Sequence, residues 1–251
     1  SIDKAVTSGN GLLRTVYAAP PSYDLAGIPS HVDGNPYTQN SFRGSFDNAY
    51  WAMENNKFTE DTNRFFGNVY ASYQTDFGTT NHKLNAKYMV GVDAYTTHYV
   101  DSYGYGSNTG GGRGQIENYG WTNATYNSLL TINYDWHINE DWGLNAVVGN
   151  EIIQSNRKKY YEYGTNYNFP GWNHINNATT QQTEEETWKN RTVGFFGNVS
   201  ASYRNMLYLT LTGRQDYVSN MPRKNRSFFY PSISAGFILT ELDALKNNVV
   251  N

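Results

Sequence analysis

Cysteine is missing from this 251-residue chain, which excludes a disulfide framework and any thiolate metal site. No run of residues approaches the ~18 consecutive apolar positions that a transmembrane helix needs. The first residues, Ser-Ile-Asp-Lys-Ala-Val, hold no apolar core of a secretory signal, so a mature chain or a piece of a longer one is expected. Net charge is only −3, and no basic field exists to attract nucleic acid. The five histidines (His31, His82, His98, His137, His174) are scattered without His-Glu-x-x-His spacing. Neither a Gly-x-Ser-x-Gly elbow nor a P-loop occurs, and the Gly-rich stretch 104–114 precedes no helical pattern, so it reads as a loop. No catalytic residue, cofactor or metal ligand is therefore assigned, and an enzyme is not expected.

Aromatic residues, by contrast, reach 16%, with 22 tyrosines, although mean hydropathy is −0.69. A disordered chain is poor in aromatics, so the low hydropathy means that half of each ordered segment is polar. One nonapeptide shows how. Phe65-Phe66-Gly67-Asn68-Val69-Tyr70-Ala71-Ser72-Tyr73 returns as Phe195-Phe196-Gly197-Asn198-Val199-Ser200-Ala201-Ser202-Tyr203, with Tyr70 against Ser200 as the one difference. At period two, each copy is apolar on one side and polar on the other, the mark of a β-strand.

The same alternation predicts about eight strands: 11–18, 63–77, 82–100, 120–138, 142–160, 188–204, 206–218 and 227–240. Leu84, Ala86, Tyr88, Val90 and Val92 oppose Lys83, Asn85, Lys87 and Asp93. Leu130, Ile132, Tyr134 and Trp136 oppose Thr131, Asn133 and Asp135. Leu207, Leu209 and Leu211 oppose Thr210, Thr212, Arg214 and Asp216. Midway along these segments the apolar side carries no formal charge. Connections at 78–81, 139–141 and about 205 are short, and alternate with long ones after 18, 100, 160 and 218. Short turns at one rim and long loops at the other describe an up-and-down membrane barrel. Tyr73, Phe77, Tyr134, Trp136, Trp142 and Tyr203 gather near the short-turn end, with Phe65 and Phe195 about eight residues above. At ~3.3 Å per residue those two levels bracket roughly the 25 Å apolar band. The fold class is thus all-β, an antiparallel up-and-down transmembrane β-barrel segment.

The stretch from Phe195 to Phe237 resembles the barrel of SusC/RagA-type TonB-dependent outer-membrane transporters. The residues are Phe196-Gly197-Asn198-Val199-Ser200-Ala201-Ser202-Tyr203 leading to Arg214-Gln215-Asp216, then Phe229-Tyr230-Pro231-Ser232-Ile233-Ser234-Ala235-Gly236-Phe237. Upstream, Asn48-Ala49-Tyr50-Trp51 resembles that family's Asn-Pro-Tyr-Trp. The resemblance implies a bacterial outer-membrane importer with 22 strands around a plug, of which residues 1–251 would be an interior part of the barrel. The plug, TonB box and remaining strands would be absent, and 241–251 would stop where another strand is due. Import of a large nutrient, an oligosaccharide or a peptide, is implied. So are a SusD-like surface lipoprotein, the TonB complex and outer-membrane lipid as partners.

Wall residues expected to face the lumen are Asn68, Asp93, Asn133, Glu151, Asn198, Arg214 and Asp216. Trp51, Tyr103, Tyr105, Tyr167, Trp172 and Trp188, outside or near the ends of the apolar runs, are candidates for ligand contact, since flat rings beside Asn suit sugar faces. Arg157-Lys158-Lys159 and Thr183-Glu184-Glu185-Glu186 read as solvated charge, the first at an outer rim and the second in a loop. Two rivals remain at this point: a self-contained eight-stranded barrel (adhesin or small pore) closed by 11–18 against 227–240, and a soluble β-sandwich carbohydrate-binding module.

Overall fold

The computed structural model describes residues 2–3 and 12–242. In chain order these form β1 (Ile2–Asp3), α1 (Leu12–Ala18), β2 (His31–Val32), β3 (Asn35–Gln39), α2 (Ala49–Asn55) and β4 (Lys57–Thr75). There follow β5 (His82–Tyr103), β6 (Gln115–His137), β7 (Trp142–Tyr167), β8 (Ala178–Tyr203), β9 (Leu207–Val218) and β10 (Ser227–Phe237). One sheet has the order β1-β4-β5-β6-β7-β8-β9-β10, so from β4 onward every strand lies beside the next in sequence. The hairpin β2–β3 is a separate pair, closed by Asp33 and Gly34 at positive φ (52° and 70°), the backbone a two-residue turn requires.

Two compact units divide the residues: Ser1–Arg64 with Tyr95–Asn123 and Arg157–Trp188, and Phe65–Ala94 with Ala124–Asn156 and Lys189–Asn251. Strands β4 to β8 each give one stretch to either unit.

The second unit carries the two-sided pattern. Along β8 and β9, Phe196 faces Arg214, Asn198 faces Thr212 and Ser200 faces Thr210, while Val199 faces Leu211 and Ala201 faces Leu209. The register continues into β10, where Ser232 meets Thr212 and Ile233 meets Leu211. Polar thus lies beside polar and apolar beside apolar across three strands. The apolar side is uncovered: Phe65 and Ile233 are each 70% exposed, and Val69, Leu209, Leu211 and Phe229 are exposed with them. Burying one such side chain is worth ~1.5–3 kcal/mol, and a soluble monomer rarely leaves so many in one contiguous field. Hydrocarbon is the solvent that suits this face. The soluble sandwich, which needs a second sheet against it, finds no such sheet among the described residues.

The first unit has the small core. Trp51 and Tyr167 are wholly buried, with Phe46, Ala49, Ile116 and Ala178 nearly so. Asn48 caps α2 by accepting from the N–H groups of Tyr50 and Trp51, and the indole N–H of Trp51 donates to Pro36 O at 2.8 Å. Asp47, also fully buried, accepts from Ser107 Oγ (2.6 Å), the Asn108 N–H (2.7 Å) and Gln39 Nε2 (2.7 Å). Its carboxylate ties 104–114 to the segment before α2. Gly106 sits at φ 101°, where an added Cβ would lie 2.1 Å from Tyr37 O.

Several expectations need correction. Residues 12–18 form a helix, not a strand, so closure by 11–18 against 227–240 has no strand to make it. Leu12, Leu13, Val16 and Tyr17 recur at helical spacing, which a period-two reading of so short a segment misses. The connection after 18 holds a hairpin and a helix. Strand β8 begins at 178, ten residues earlier than expected, and β7 runs to 167. Apart from Tyr167 and Ala178, which enter the small core, these extensions carry Thr, Gln, Glu, Asn and tyrosine without apolar alternation, while backbone pairing continues. The expected end at 241–251 lies largely outside the described residues; 239–241 form a 3-10 turn. The turns at 76–81, 138–141 and 204–206 stand as expected, the last with Arg204 and Asn205 at positive φ (49° and 54°).

Candidate functional site

Within the first unit, the polar parity of β5 to β8 collects rings rather than amides. Tyr99 and Tyr119 stack with centroids 4.8 Å apart and planes 8° from parallel, and Trp121 stands 5.6 Å from Tyr99. The Arg157 guanidinium lies 5.2 Å from the Trp121 ring and 5.7 Å from that of Trp188, so one cation bridges indoles on two strands. Acid surrounds them. Tyr119 Oη donates to Asp101 Oδ2 at 3.2 Å. Burial first, and the Asp101 charge second, push the Tyr119 phenol up to about 12. Burial and Asp101 also raise the Glu117 carboxyl above its ordinary value, against a hydrogen bond with Tyr161 that lowers it. The result is a patch of four flat rings, two carboxylates and one guanidinium. It offers stacking surface, acceptors and a donor fork, and no nucleophile aligned with a base.

Of the six aromatics expected to contact ligand, Trp188 alone belongs to this patch. Trp51 and Tyr167 are core residues with no exposed ring. Tyr103 meets Phe58 edge-on at 5.2 Å, and Tyr105 packs on the cluster of Ile116, Tyr167 and Ala178. Trp172 is stacked between Phe169 (5.9 Å) and His174 (4.9 Å). Tyr99, Tyr119, Trp121 and Arg157 were not anticipated. The available signal was the polar parity of β5 and β6 carried past the apolar band, where Tyr99, Tyr119 and Trp121 all fall on odd positions.

In the second unit the expected lumen residues lie on the polar side. Arg214 donates to Glu151 Oε2 (2.7 Å) and Asp216 Oδ1 (2.8 Å), and its guanidinium lies 5.8 Å from the Phe196 ring. Asn145 Nδ2 donates to Asn133 Oδ1 (2.7 Å) and Asp135 Oδ1 (2.6 Å). Asn198 Oδ1 is buried with no hydrogen-bond partner. Asn68 is on β4 and Asp93 on β5, outside these clusters. Tyr70 accepts the Lys87 ammonium on its ring at 4.4 Å, while Ser200, its counterpart in the second nonapeptide, pairs with Thr210 at 2.8 Å.

The basic and acidic runs find each other in the first unit. Lys158 Nζ is 3.0 Å from Glu185 Oε2 and Lys159 Nζ 3.9 Å from Glu186 Oε1, so the acidic run lies in a strand and not in a loop, and the two runs form cross-strand pairs. Among the described residues no group of three or more His, Asp or Glu side chains could hold a metal ion.

No protein-family model matches the chain. It is 26% identical over 218 residues to the TonB-dependent receptor SusC of Bacteroides thetaiotaomicron, covering 84% of this chain and 20% of that protein. It is 28% identical over 137 residues to the TonB-dependent receptor P26 of Formosa agariphila, covering 51% of this chain and 13% of that one. The chain therefore spans a fifth or less of the curated relatives it matches. A structure of the RagAB peptide transporter superposes with a TM-score of 0.68 at 16% identity, covering 82% of this chain and 23% of that one. The RagAB peptide importer in its closed-closed state gives 0.68 at 18% identity, covering 84% and 23%. In sequence and fold the chain is similar to an interior part of a SusC-type barrel, a wall of the bacterial outer membrane.

Proposed function

We propose that this chain is an arc of the barrel of a TonB-dependent importer that admits a large nutrient, an oligosaccharide or a peptide, across the outer membrane. The plug, the TonB box and the remaining strands belong to the rest of the parent protein. A SusD-like surface lipoprotein is the proposed partner outside, and the TonB complex supplies the driving force from within. The reading contains no reaction step.

The observation that carries it is the two-sided wall. Phe65, Val69, Leu209 and Ile233 lie bare on one face, while Arg214, Glu151, Asn133 and Asn145 are linked by hydrogen bonds on the other. A membrane pore demands this division, since charge at the bilayer midplane is costly on the lipid side and cheap on the lumen side. The patch of Tyr99, Tyr119, Trp121 and Trp188 supports a cargo with flat faces and hydrogen-bonding groups, which sugars and peptides both offer. Glu151, Arg214 and Asp216 hold the wall itself, since their charges satisfy each other.

Two measurements test the reading. This chain contributes no cysteine, so single cysteines at Leu209, Thr210, Leu211 and Thr212 can be placed in a full-length receptor whose other cysteines, if any, are replaced by serine. A water-soluble maleimide should label the Thr210 and Thr212 positions and spare the other two; equal labelling of all four would overturn the membrane face. For import, cells lacking the receptor gene should fail to deplete one class of oligosaccharide or peptide from a defined mixture followed by mass spectrometry. Identical depletion in both strains would remove the transport function and leave the wall intact.

A further inference from the structure

Between 187 and 227 the chain carries Lys189, Arg191, Arg204, Arg214, Arg223, Lys224 and Arg226 against a single acid, Asp216. Arg214 is spent on Glu151 and Asp216, and Arg204 pairs with Asp141 at the far turn. The other five lie about the hairpin where β9 ends and β10 begins, beside the middle of β8. Ser219 N donates to Arg191 O at 2.8 Å and Val218 N to Arg226 O at 2.8 Å, which sets Arg191, the segment 219–226 and Arg226 side by side. All five are exposed, and none has a carboxylate partner among the described residues; Arg191 is held by Gln154 of β7. Lys189 and Arg191 occupy the odd positions of β8, the same side as Phe195 and Val199, so they top the lipid-facing surface. Arg226, opposite Val218, falls on the even parity of Arg214 and Asp216 and belongs to the lumen side, which leaves Lys189 and Arg191 with Arg223 and Lys224 of the hairpin.

Directly below them the apolar face is hollowed. Gly197 and Gly213 are register partners, so two adjacent positions on this side carry no side chain. Phe195 and Phe229 stand above the gap, Val199 and Leu211 below, and Val148 of β7 borders it. Four residues separate Arg191 from Phe195, roughly 13 Å along a strand. The surface thus reads, from the β9–β10 hairpin inward, as four cations, two aromatic rings and a greasy trough.

We propose that Lys189, Arg191, Arg223 and Lys224 seat the phosphate head of an outer-leaflet lipid of the lipid A type, with an acyl chain in the trough over Gly197 and Gly213. Charge complementarity selects an anionic head, and the adjoining trough selects a lipid over free phosphate. Unpaired cations on a hydrocarbon-facing wall must meet the headgroup layer, where each basic side chain contributes about a fivefold preference for anionic lipid. The runs at 157–159 do not compete, since Lys158 and Lys159 are paired to Glu185 and Glu186 and Arg157 to two indoles. The proposal rests on the outer face of β8–β10 meeting lipid, which the maleimide measurement decides independently.

The test uses the full-length receptor in nanodiscs of zwitterionic phospholipid doped with diphosphoryl lipid A, or with lipid A stripped of its phosphates, and reads bound lipid by native mass spectrometry. Wild type should retain the diphosphoryl form at least about tenfold over the stripped form. Replacing the four cations by Gln (K189Q, R191Q, R223Q, K224Q) should abolish that preference, and K158Q should leave it intact. Gly213→Leu, which fills the trough, should weaken retention of both lipids several-fold while keeping the phosphate preference. Equal retention of both lipids by wild type would overturn the seat without any variant needing to fold. So would displacement of the lipid by millimolar inorganic phosphate, which would mark a free-phosphate site.

Discussion

Replacing Asp47 by alanine should release 104–114 from the first unit. The carboxylate is fully buried and accepts from Ser107 Oγ, the Asn108 N–H and Gln39 Nε2, all within 2.7 Å. Alanine leaves Ser107 Oγ and the Asn108 N–H without this acceptor, while Gln39 Nε2 keeps Gly106 O at 2.8 Å. Each loss costs ~1–3 kcal/mol, and the Ser107 hydroxyl can turn elsewhere, so a local loss of about 2–4 kcal/mol follows. Asp47→Asn keeps one oxygen for the fixed Asn108 N–H, and Ser107 can reverse to accept from the new amide; about 1–2 kcal/mol is expected. Hydrogen exchange on the full-length receptor reads the difference. Peptides covering 104–114 should exchange about thirty- to a thousandfold faster in D47A and about tenfold faster in D47N, with β9 unchanged. Unaltered protection at Asn108 in D47A would show that the carboxylate does not hold the segment, and the reasoning would fail.

Leu211→Arg, on the lipid side and opposite Val199, should cost ~2–4 kcal/mol near the bilayer midplane, whereas Thr210→Arg next to it should assemble nearly as wild type; heat-modifiable migration on gels reports the assembled fraction, and equal yields would contradict the assigned faces. Arg214→Met leaves Glu151 and Asp216 facing each other and should lose ~1–2 kcal/mol in urea unfolding, with Arg214→Lys recovering only part because an ammonium lacks the fork that reaches both carboxylates. Glu117 has a raised folded-state pKa, so its contribution to stability is fully present below about 4.5 and disappears as pH rises through the raised value. Glu117→Gln should therefore gain in Tm over wild type as pH goes from about 4 to 7; a constant difference across that range would rule out Glu117 as the source.

The side-chain alternation from 63 to 237 was readable because lipid on one side and water on the other impose opposite chemistry on neighbouring residues. Short turns were readable for a related reason, as residues such as Asp76, Gly78 and Asn205 announce a reversal. Legibility stopped where hydrocarbon stops. In 179–187 both faces meet water, so Thr, Gln and Glu follow one another without period while the strand continues through backbone hydrogen bonds. The aromatic patch was missed on similar grounds. Rings were sought outside the apolar runs, and that criterion found Trp51 and Tyr167, which the core consumes, while Tyr99, Tyr119 and Trp121 lay inside strands on the side expected to be polar. Asp47 gave no local signal, since its partners Gln39, Ser107 and Asn108 are brought to it only by the fold.

The repeated nonapeptide shows what a bilayer demands of a sequence. Hydrocarbon is uniform in every direction, so a Phe-Gly-Val-Ala-Tyr edge that suits β4 suits β8 without adjustment, and those five positions are identical in the two copies. The interior is not uniform: Tyr70 answers Lys87 and Ser200 answers Thr210, and there alone the copies part. A duplicated stave would keep its outside for free and acquire individuality from within.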